Sequence, residues 1–150
     1  MSIRLKNLDN QTDGVRRSSH VSLGDITATR TYGVFITPFD CRVNKVEITS
    51  LQASIVSASD VNYSMTLNRL PLIATSATPI VMATRGNSGT STANTNGISA
   101  GIPFVMSPTV QADLSAGTPL SLAVTIGGSQ VMSGVVAHVF YTPLVHRSTR

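Results

Sequence analysis

The sequence predicts an all-β protein, folded as a single jelly-roll-like β-sandwich with an extended N-terminal arm. Three observations lead to this fold class. No segment keeps a helical period of apolar residues over any length, whereas about eight short stretches alternate with a period of two or are rich in β-branched residues. Turn-forming residues separate these stretches at short and regular intervals. Such a series of short strands is typical of a sandwich or jelly roll.

Residues 1–30 are predicted to form the arm, because apolar and polar residues are mixed there without a lasting period. Two interpretations stay open: a loosely attached leader, or an extended segment that orders on a partner and brings basic groups to an acidic surface. The basic residues assigned to such a contact are Arg4, Lys6, Arg16, Arg17 and Arg30.

Residues 31–145 are predicted to form the β-sandwich domain, and residues 146–150 a basic tail. Residues 32–36 form the first strand, which a Thr-Pro pair ends. Residues 41–56 are apolar but change phase, which indicates a bulge near residues 44–45 and an irregularity or turn near Ser50. Bends of this kind allow one strand to serve both sheets.

The middle of the chain contains three shorter strands and one long loop. Residues 61–67 alternate cleanly, and residues 80–82 and 102–106 are short apolar runs. Pro103 favours a position at the edge or end of a strand. Residues 85–99 contain almost no large apolar group and are predicted to be an exposed loop.

Two long strands follow, over residues 120–126 and 135–141, and they are predicted to pair as a hairpin. The period of two in the first strand places four apolar residues on the core side. The small, uncharged residues between them would face outward and offer a subunit interface. These outward residues are Ser121, Ala123 and Thr125.

The chain carries unusually few charges. Charged residues are 12% of the 150 residues, against about 25% in ordinary soluble domains. The net charge of +4 comes from the two ends, because the middle of the chain is almost neutral. This distribution predicts a protein that hides much of its surface in an assembly. The single cysteine, Cys41, excludes an intramolecular disulfide and is expected to be a buried thiol in a protein made in a reducing compartment.

The residues do not suggest an active site. The three histidines, His20, His138 and His146, lack the spacing of metal ligands, and His138 is expected to be structural. No serine stands in a nucleophile elbow, and most carboxylates fall in turns. We therefore expect no catalysis, no metal and no cofactor.

The sequence also argues against two classes of partner. It has neither an apolar run of membrane-spanning length nor a secretory signal, so no membrane partner is expected. The chain is basic, but it has few lysines, no tryptophan and thinly spread arginines. Direct binding of nucleic acid is therefore not expected.

Three stretches resemble the small β-sandwich decoration, or cement, proteins of tailed-bacteriophage capsids. Residues 39–46 resemble the start of their strand after a proline turn, residues 113–120 their Ala-Gly step into the penultimate strand, and residues 133–143 their closing strand. The resemblance covers about residues 31–145 as a pattern of strands and turns. It implies a trimer on the capsid exterior, where major capsid proteins meet, and no catalysis.

We therefore expect a structural virion protein, made in the host cytoplasm, that binds the major capsid protein and itself as a homotrimer. Its arm would lie along neighbouring capsid subunits and hold them together. The alternative is a receptor- or glycan-binding module, such as a fibre tip, that uses the loop at residues 85–99. A small β-sandwich enzyme, such as an isomerase or lyase, is disfavoured because no acid–base pair is evident.

Overall fold

The computed structural model describes residues 16–53, 63–70, 79–87, 100–108, 112–126 and 132–144. These ranges contain ten β-strands and no helix. The strands are β1 (Arg17–Ile26), β2 (Arg30–Ile36), β3 (Cys41–Thr49), β4 (Gln52–Ala53), β5 (Tyr63–Arg69), β6 (Ile80–Asn87), β7 (Phe104–Met106), β8 (Asp113–Leu114), β9 (Pro119–Ile126) and β10 (Met132–Pro143).

The strands form two antiparallel sheets with the topology of a jelly roll. The first sheet has the order β1-β10-β3-β7, with the short strands β4 beside β10 and β8 beside β3; the second has the order β2-β9-β5-β6. Nested pairs result, in which β1 pairs with β10, β2 with β9, β3 with β7, and β5 with β6. This double Greek-key order is that of a jelly roll, and it confirms the fold class predicted from the sequence.

The core lies between the two sheets and is filled from both sides by alternate residues. Leu120, Leu122 and Val124 of β9 are buried, as the period of two predicts. Val135 and Val139 of β10 are buried opposite them, on the other sheet. Complete burial of a side chain of this size contributes about 1.5–3 kcal/mol to the free energy of unfolding. Ile126, at the end of β9, is half-buried and packs against the same core.

The hairpin predicted for the last two long strands is wrong. β9 lies in the second sheet between β2 and β5, and β10 lies in the first sheet between β1 and β3. The prediction failed because a period of two fixes which face of a strand is buried but says nothing of its neighbour. In a jelly roll these consecutive strands belong to opposite sheets.

The phase change predicted in β3 is present. Phe140 of β10 lies opposite Lys45 and Tyr141 lies opposite Val43, so Asn44 is an extra residue and forms a bulge. The chain also breaks at Ser50, between β3 and β4. However, both strands pair with β10 in the first sheet. Over the described residues 41–53 this bent segment therefore serves the first sheet, and not both sheets as bends of this kind would allow.

The paired part of the chain begins earlier than the boundary predicted at residue 31. Residues 17–26 form β1, which pairs with β10, and β2 already starts at Arg30. Half-buried Val21 and Leu23 alternate with exposed residues, and Ile26 is fully buried. The period is short and a bulge at Gly24 interrupts it, which is why the sequence did not indicate a strand. Residues 1–15 and 145–150, with the rest of the predicted arm and the predicted tail, lie outside the described residues.

Candidate interaction surfaces

The second sheet has an outer face without charged side chains at the positions described. Ser121 lies between Gly33 and Asn68 in the strand register, and Ala123 lies between Thr31 and Thr66. Residues opposite one another in adjacent strands share a face. We call this surface the neutral face. Its described positions are Thr31, Gly33, Ile36, Thr66, Asn68, Val81, Thr84, Pro119, Ser121, Ala123 and Thr125.

The neutral face combines small polar residues with exposed apolar ones. Ile36 and Val81, on the two edge strands, are 67% and 51% exposed. Ser121 is buried, Ala123 is half-buried and Thr125 is exposed. Exposed large apolar side chains on a surface without charges favour contact with another protein. The three residues that the sequence assigns to a subunit interface therefore all lie on this face.

Two of the arginines assigned to the arm instead make contacts within the sandwich. The guanidinium of Arg17 lies 5.2 Å from the centre of the Phe39 ring, which in turn lies 6.0 Å from the ring of Tyr141. The guanidinium of Arg30 lies over the Tyr32 ring, 5.6 Å from its centre. A cation over an aromatic face at this distance is stabilising. Both arginines remain exposed, so each also presents positive charge to solvent.

The remaining basic residues of the predicted arm lie before β1. Arg16 is exposed and directly precedes the strand. Arg4 and Lys6 lie outside the described residues, as do residues 88–99 of the predicted exposed loop. The first part of that loop, residues 85–87, is the end of β6.

The first sheet has an outer face of different character, which we call the titratable face. His20, His138 and Glu47 lie side by side on β1, β10 and β3. In the next row, Lys45 donates a hydrogen bond of 2.5 Å to Glu47 Oε1, and its ammonium group lies 4.6 Å from the centre of the Phe140 ring.

His138 was expected to be structural, but it is exposed on the titratable face beside His20, with ring centroids 5.5 Å apart. The sequence did not indicate this proximity because the two histidines are 118 positions apart. They meet only because the first described strand pairs with the last.

A shallow groove of about 450 Å³ lies beside β8 and contains an ion pair. Arg42 Nε and Nη2 donate to the two carboxylate oxygens of Asp113, at 2.5 and 2.8 Å. The hydrogen bonds from Arg42 hold the pKa of Asp113 below its usual range. Because each partner neutralises the other, the groove offers no unpaired charge from this pair. It is lined by Arg42, Val43, Asn44, Pro108, Ala112 and Asp113.

The Cys41 thiol is buried, as expected. Burial first, and then the negative charges of Asp40 and Asp113, raise the pKa of Cys41 to about 11. A thiol that stays protonated at neutral pH is a poor nucleophile and a poor metal ligand. Within the described ranges no three His, Cys, Asp or Glu side chains converge as a metal site. The same ranges contain no apolar helix of membrane-spanning length.

Known proteins of similar structure resemble this chain only at a low level. No protein-family model matches the sequence, and no curated protein is detectably similar to it. Among solved structures, one of infectious bursal disease virus, Gx strain, is 16% identical with a TM-score of 0.34, over 92% of this chain and 31% of that one. The VP2 subviral particle of the same virus is 15% identical with a TM-score of 0.25, over 89% and 36%. The chain thus spans about a third of the length of these structures.

Proposed function

We propose that this chain is a structural virion protein: a decoration, or cement, protein that binds the outside of a phage head and stabilises contacts between major capsid proteins. The observation that carries the proposal is the contrast between the two outer faces of the jelly roll. The neutral face has no charged side chain at its described positions and exposes Ile36 and Val81. The titratable face carries Lys45, Glu47 and two histidines.

The contrast gives each face a different role in an assembly. Interface cores are depleted in charged residues, whereas the surface that stays in water is not. The neutral face would therefore pack against other copies of this chain, and the titratable face would stay in solvent. A trimer is the state that the resemblance to cement proteins implies. With closed symmetry, the three copies would present the same surface to the capsid.

Capsid contact is assigned to the basic residues that precede the sandwich. Arg16 is exposed at the start of β1, and Arg4 and Lys6 come earlier in the chain. Positive groups of this kind suit an acidic surface on the major capsid protein. Because a trimer would carry three such segments, weak individual contacts would act together through effective concentration. Arg17 and Arg30 already contact rings within the sandwich and should contribute less.

In this proposal the protein is made in the host cytoplasm and is located on the capsid exterior. Its partners are the major capsid protein and two further copies of itself. It needs no cofactor, catalyses no reaction, and contacts neither membrane nor nucleic acid directly.

Truncation before β1 tests capsid binding. Deletion of residues 1–15 leaves β1 intact, whereas deletion through residue 30 would remove a strand that pairs with β10. We expect the shortened protein to keep the parent's oligomeric state in light scattering. It should co-sediment much less with heads that lack the native protein, because Arg4 and Lys6 are lost while Arg16 remains. Normal binding of the shortened protein to heads would contradict the proposed role of the arm.

A charge on the neutral face tests the assembly. Ala123→Arg places a cation at the centre of that face, and Ser22→Arg places the same cation at an exposed position of β1. We expect a trimer for Ser22→Arg and a monomer for Ala123→Arg, both with the circular dichroism spectrum of the parent. If Ala123→Arg also remains a trimer, the neutral face is not the interface.

A further inference from the structure

Two imidazoles lie next to each other on the titratable face. His20 of β1 and His138 of β10 are direct partners in the antiparallel register. Their ring centroids are 5.5 Å apart and their planes are inclined by 68°. Both side chains are exposed, and in the described part of the chain their contacts are ring contacts, with each other and between His138 and Phe140.

We propose that His20 and His138 form a binding site for a divalent transition-metal ion of the class that prefers imidazole, such as Cu²⁺, Ni²⁺ or Zn²⁺. Imidazole nitrogen is a favoured ligand for these ions. Two imidazoles bound to one ion through metal–nitrogen bonds of about 2.0–2.1 Å have ring centres about 4.5–5 Å apart, the smaller value for the angle of about 90° at tetragonal Cu²⁺ and the larger for a tetrahedral ion. The separation of 5.5 Å in this structure is therefore close to what shared coordination requires.

The charges around the pair tolerate a cation. Among the described residues, the lysine on this face is Lys45, on β3, two strands away from His20, and its ammonium group donates a hydrogen bond to Glu47. Glu47 lies opposite His138 in the register. The carboxylate of Glu47 therefore lies beside the His138 imidazole and offsets the charge of Lys45 there. As a unit the Lys45–Glu47 pair is close to neutral, so within the described residues it adds no net positive charge beside the two imidazoles.

The site supplies two protein ligands and leaves the remaining coordination positions to water. It is therefore open, in contrast to a four-ligand structural site. An ion bound here would join β1, an edge strand of the first sheet, to β10. If the ion binds the folded state and not the unfolded one, the free energy of unfolding rises once the free metal concentration exceeds Kd. This inference does not depend on the proposed role in a virion.

Titration of the full chain with Cu²⁺ tests the site. We expect one Cu²⁺ per chain by calorimetry, with nitrogen hyperfine structure from two imidazoles in the electron paramagnetic resonance spectrum. His20→Ala and His138→Ala should each weaken binding about 10²-fold, because loss of either ring removes the intramolecular second ligand.

The third histidine provides the matched control. His146→Ala removes an imidazole that lies outside the described residues, and it should leave Cu²⁺ affinity and the spectrum unchanged. Both histidines of the pair are exposed, so their alanine variants should keep the parent's unfolding midpoint in the absence of metal. Unchanged Cu²⁺ affinity in either His20→Ala or His138→Ala would overturn the proposal, as would an equal loss in His146→Ala.

Discussion

The backbone amides of Thr37 and Thr118 each donate a hydrogen bond to the other residue at the end of the second sheet. The Thr37 amide donates to the Thr118 carbonyl at 3.1 Å, and the Thr118 amide donates to the Thr37 hydroxyl at 2.8 Å. The same hydroxyl donates to the Ser115 carbonyl at 2.6 Å. Both threonines are buried, so these bonds satisfy polar groups that water does not reach. They join the turn after β2 to the turn before β9, its partner in the sheet.

Thr37→Val should destabilise the protein by about 0.5–1.5 kcal/mol. The substitution keeps the shape of the side chain but removes the hydroxyl that accepts from the Thr118 amide and donates to the Ser115 carbonyl. The Thr118 amide then keeps its longer bond, of 3.2 Å, to the Ser115 carbonyl. The free energy of unfolding, from urea denaturation, measures the loss. Thr27→Val is the control, because Thr27 is exposed after β1 and its replacement should change stability little. Equal effects at both sites would show that the Thr37–Thr118 contact does not stabilise the fold.

The sequence predicts those features of the fold that depend on neighbouring residues. Alternation in β9 places Leu120, Leu122 and Val124 in the core, because side chains on a strand change face at each residue. The phase change in β3 locates the bulge at Asn44, since one extra residue reverses the alternation. The fold class follows from the same local patterns, together with the absence of a helical period.

Strand partners could not be predicted, because they depend on how the whole chain packs. Strong alternation in β9 and closeness in the chain suggested pairing with β10, yet the two sheets of the jelly roll separate them. The proximity of His20 and His138 depends on pairing between β1 and β10, and β1 itself has only a weak pattern. The position of Ala123 and Thr125 on the outer face was predictable, whereas the burial of Ser121 on that face was not.

The Cys41 thiol should react slowly with a disulfide reagent while the protein is folded. Burial and two nearby carboxylates raise its pKa to about 11, and the thiolate is the reactive form. The folded state holds this proton more tightly than the unfolded state does. The contribution of Cys41 to the free energy of unfolding should therefore fall as pH rises from about 9 to about 11. Ellman's reagent measures the rate with and without urea.

A second cysteine provides the positive control for that measurement. Ser18→Cys, made together with Cys41→Ala, places the thiol at an exposed position of β1, and it should react at the rate of a free thiol without denaturant. Rapid modification of native Cys41 at neutral pH would contradict its burial in the core.

Two glycines should respond in opposite ways to replacement by alanine. Gly24, at a bulge in β1, has φ of +68°, and Gly33 in β2 does not have a positive φ; an added Cβ would meet no atom within 4 Å at either site. Gly24→Ala should therefore cost about 1 kcal/mol or more through backbone strain alone. Gly33→Ala should be neutral or slightly stabilising, because alanine has less freedom to lose on folding. Thermal and urea unfolding of both variants measure the contrast, and a similar loss in each would contradict the role of φ.

The ion pair between Arg42 and Asp113 should make stability depend on acid. Hydrogen bonding from Arg42 lowers the pKa of Asp113 in the folded state, so the stabilisation is present above the ordinary Asp value of about 3.9. It disappears as pH falls through the lowered value, when Asp113 takes up a proton in the folded protein as well.

Arg42→Gln should therefore reduce the free energy of unfolding at neutral pH, and the difference from the parent should shrink in acid. The side chains of Arg42 and Asp113 are 57% and 49% exposed, so added salt should reduce the difference at neutral pH too.

Arg30→Gln is the control, because Arg30 lies over the Tyr32 ring and its effect should not follow the titration of Asp113. Urea denaturation at a series of pH values from neutral into acid measures the difference as Asp113 takes up its proton. A difference between parent and Arg42→Gln that stays constant throughout would show that the ion pair is not its source.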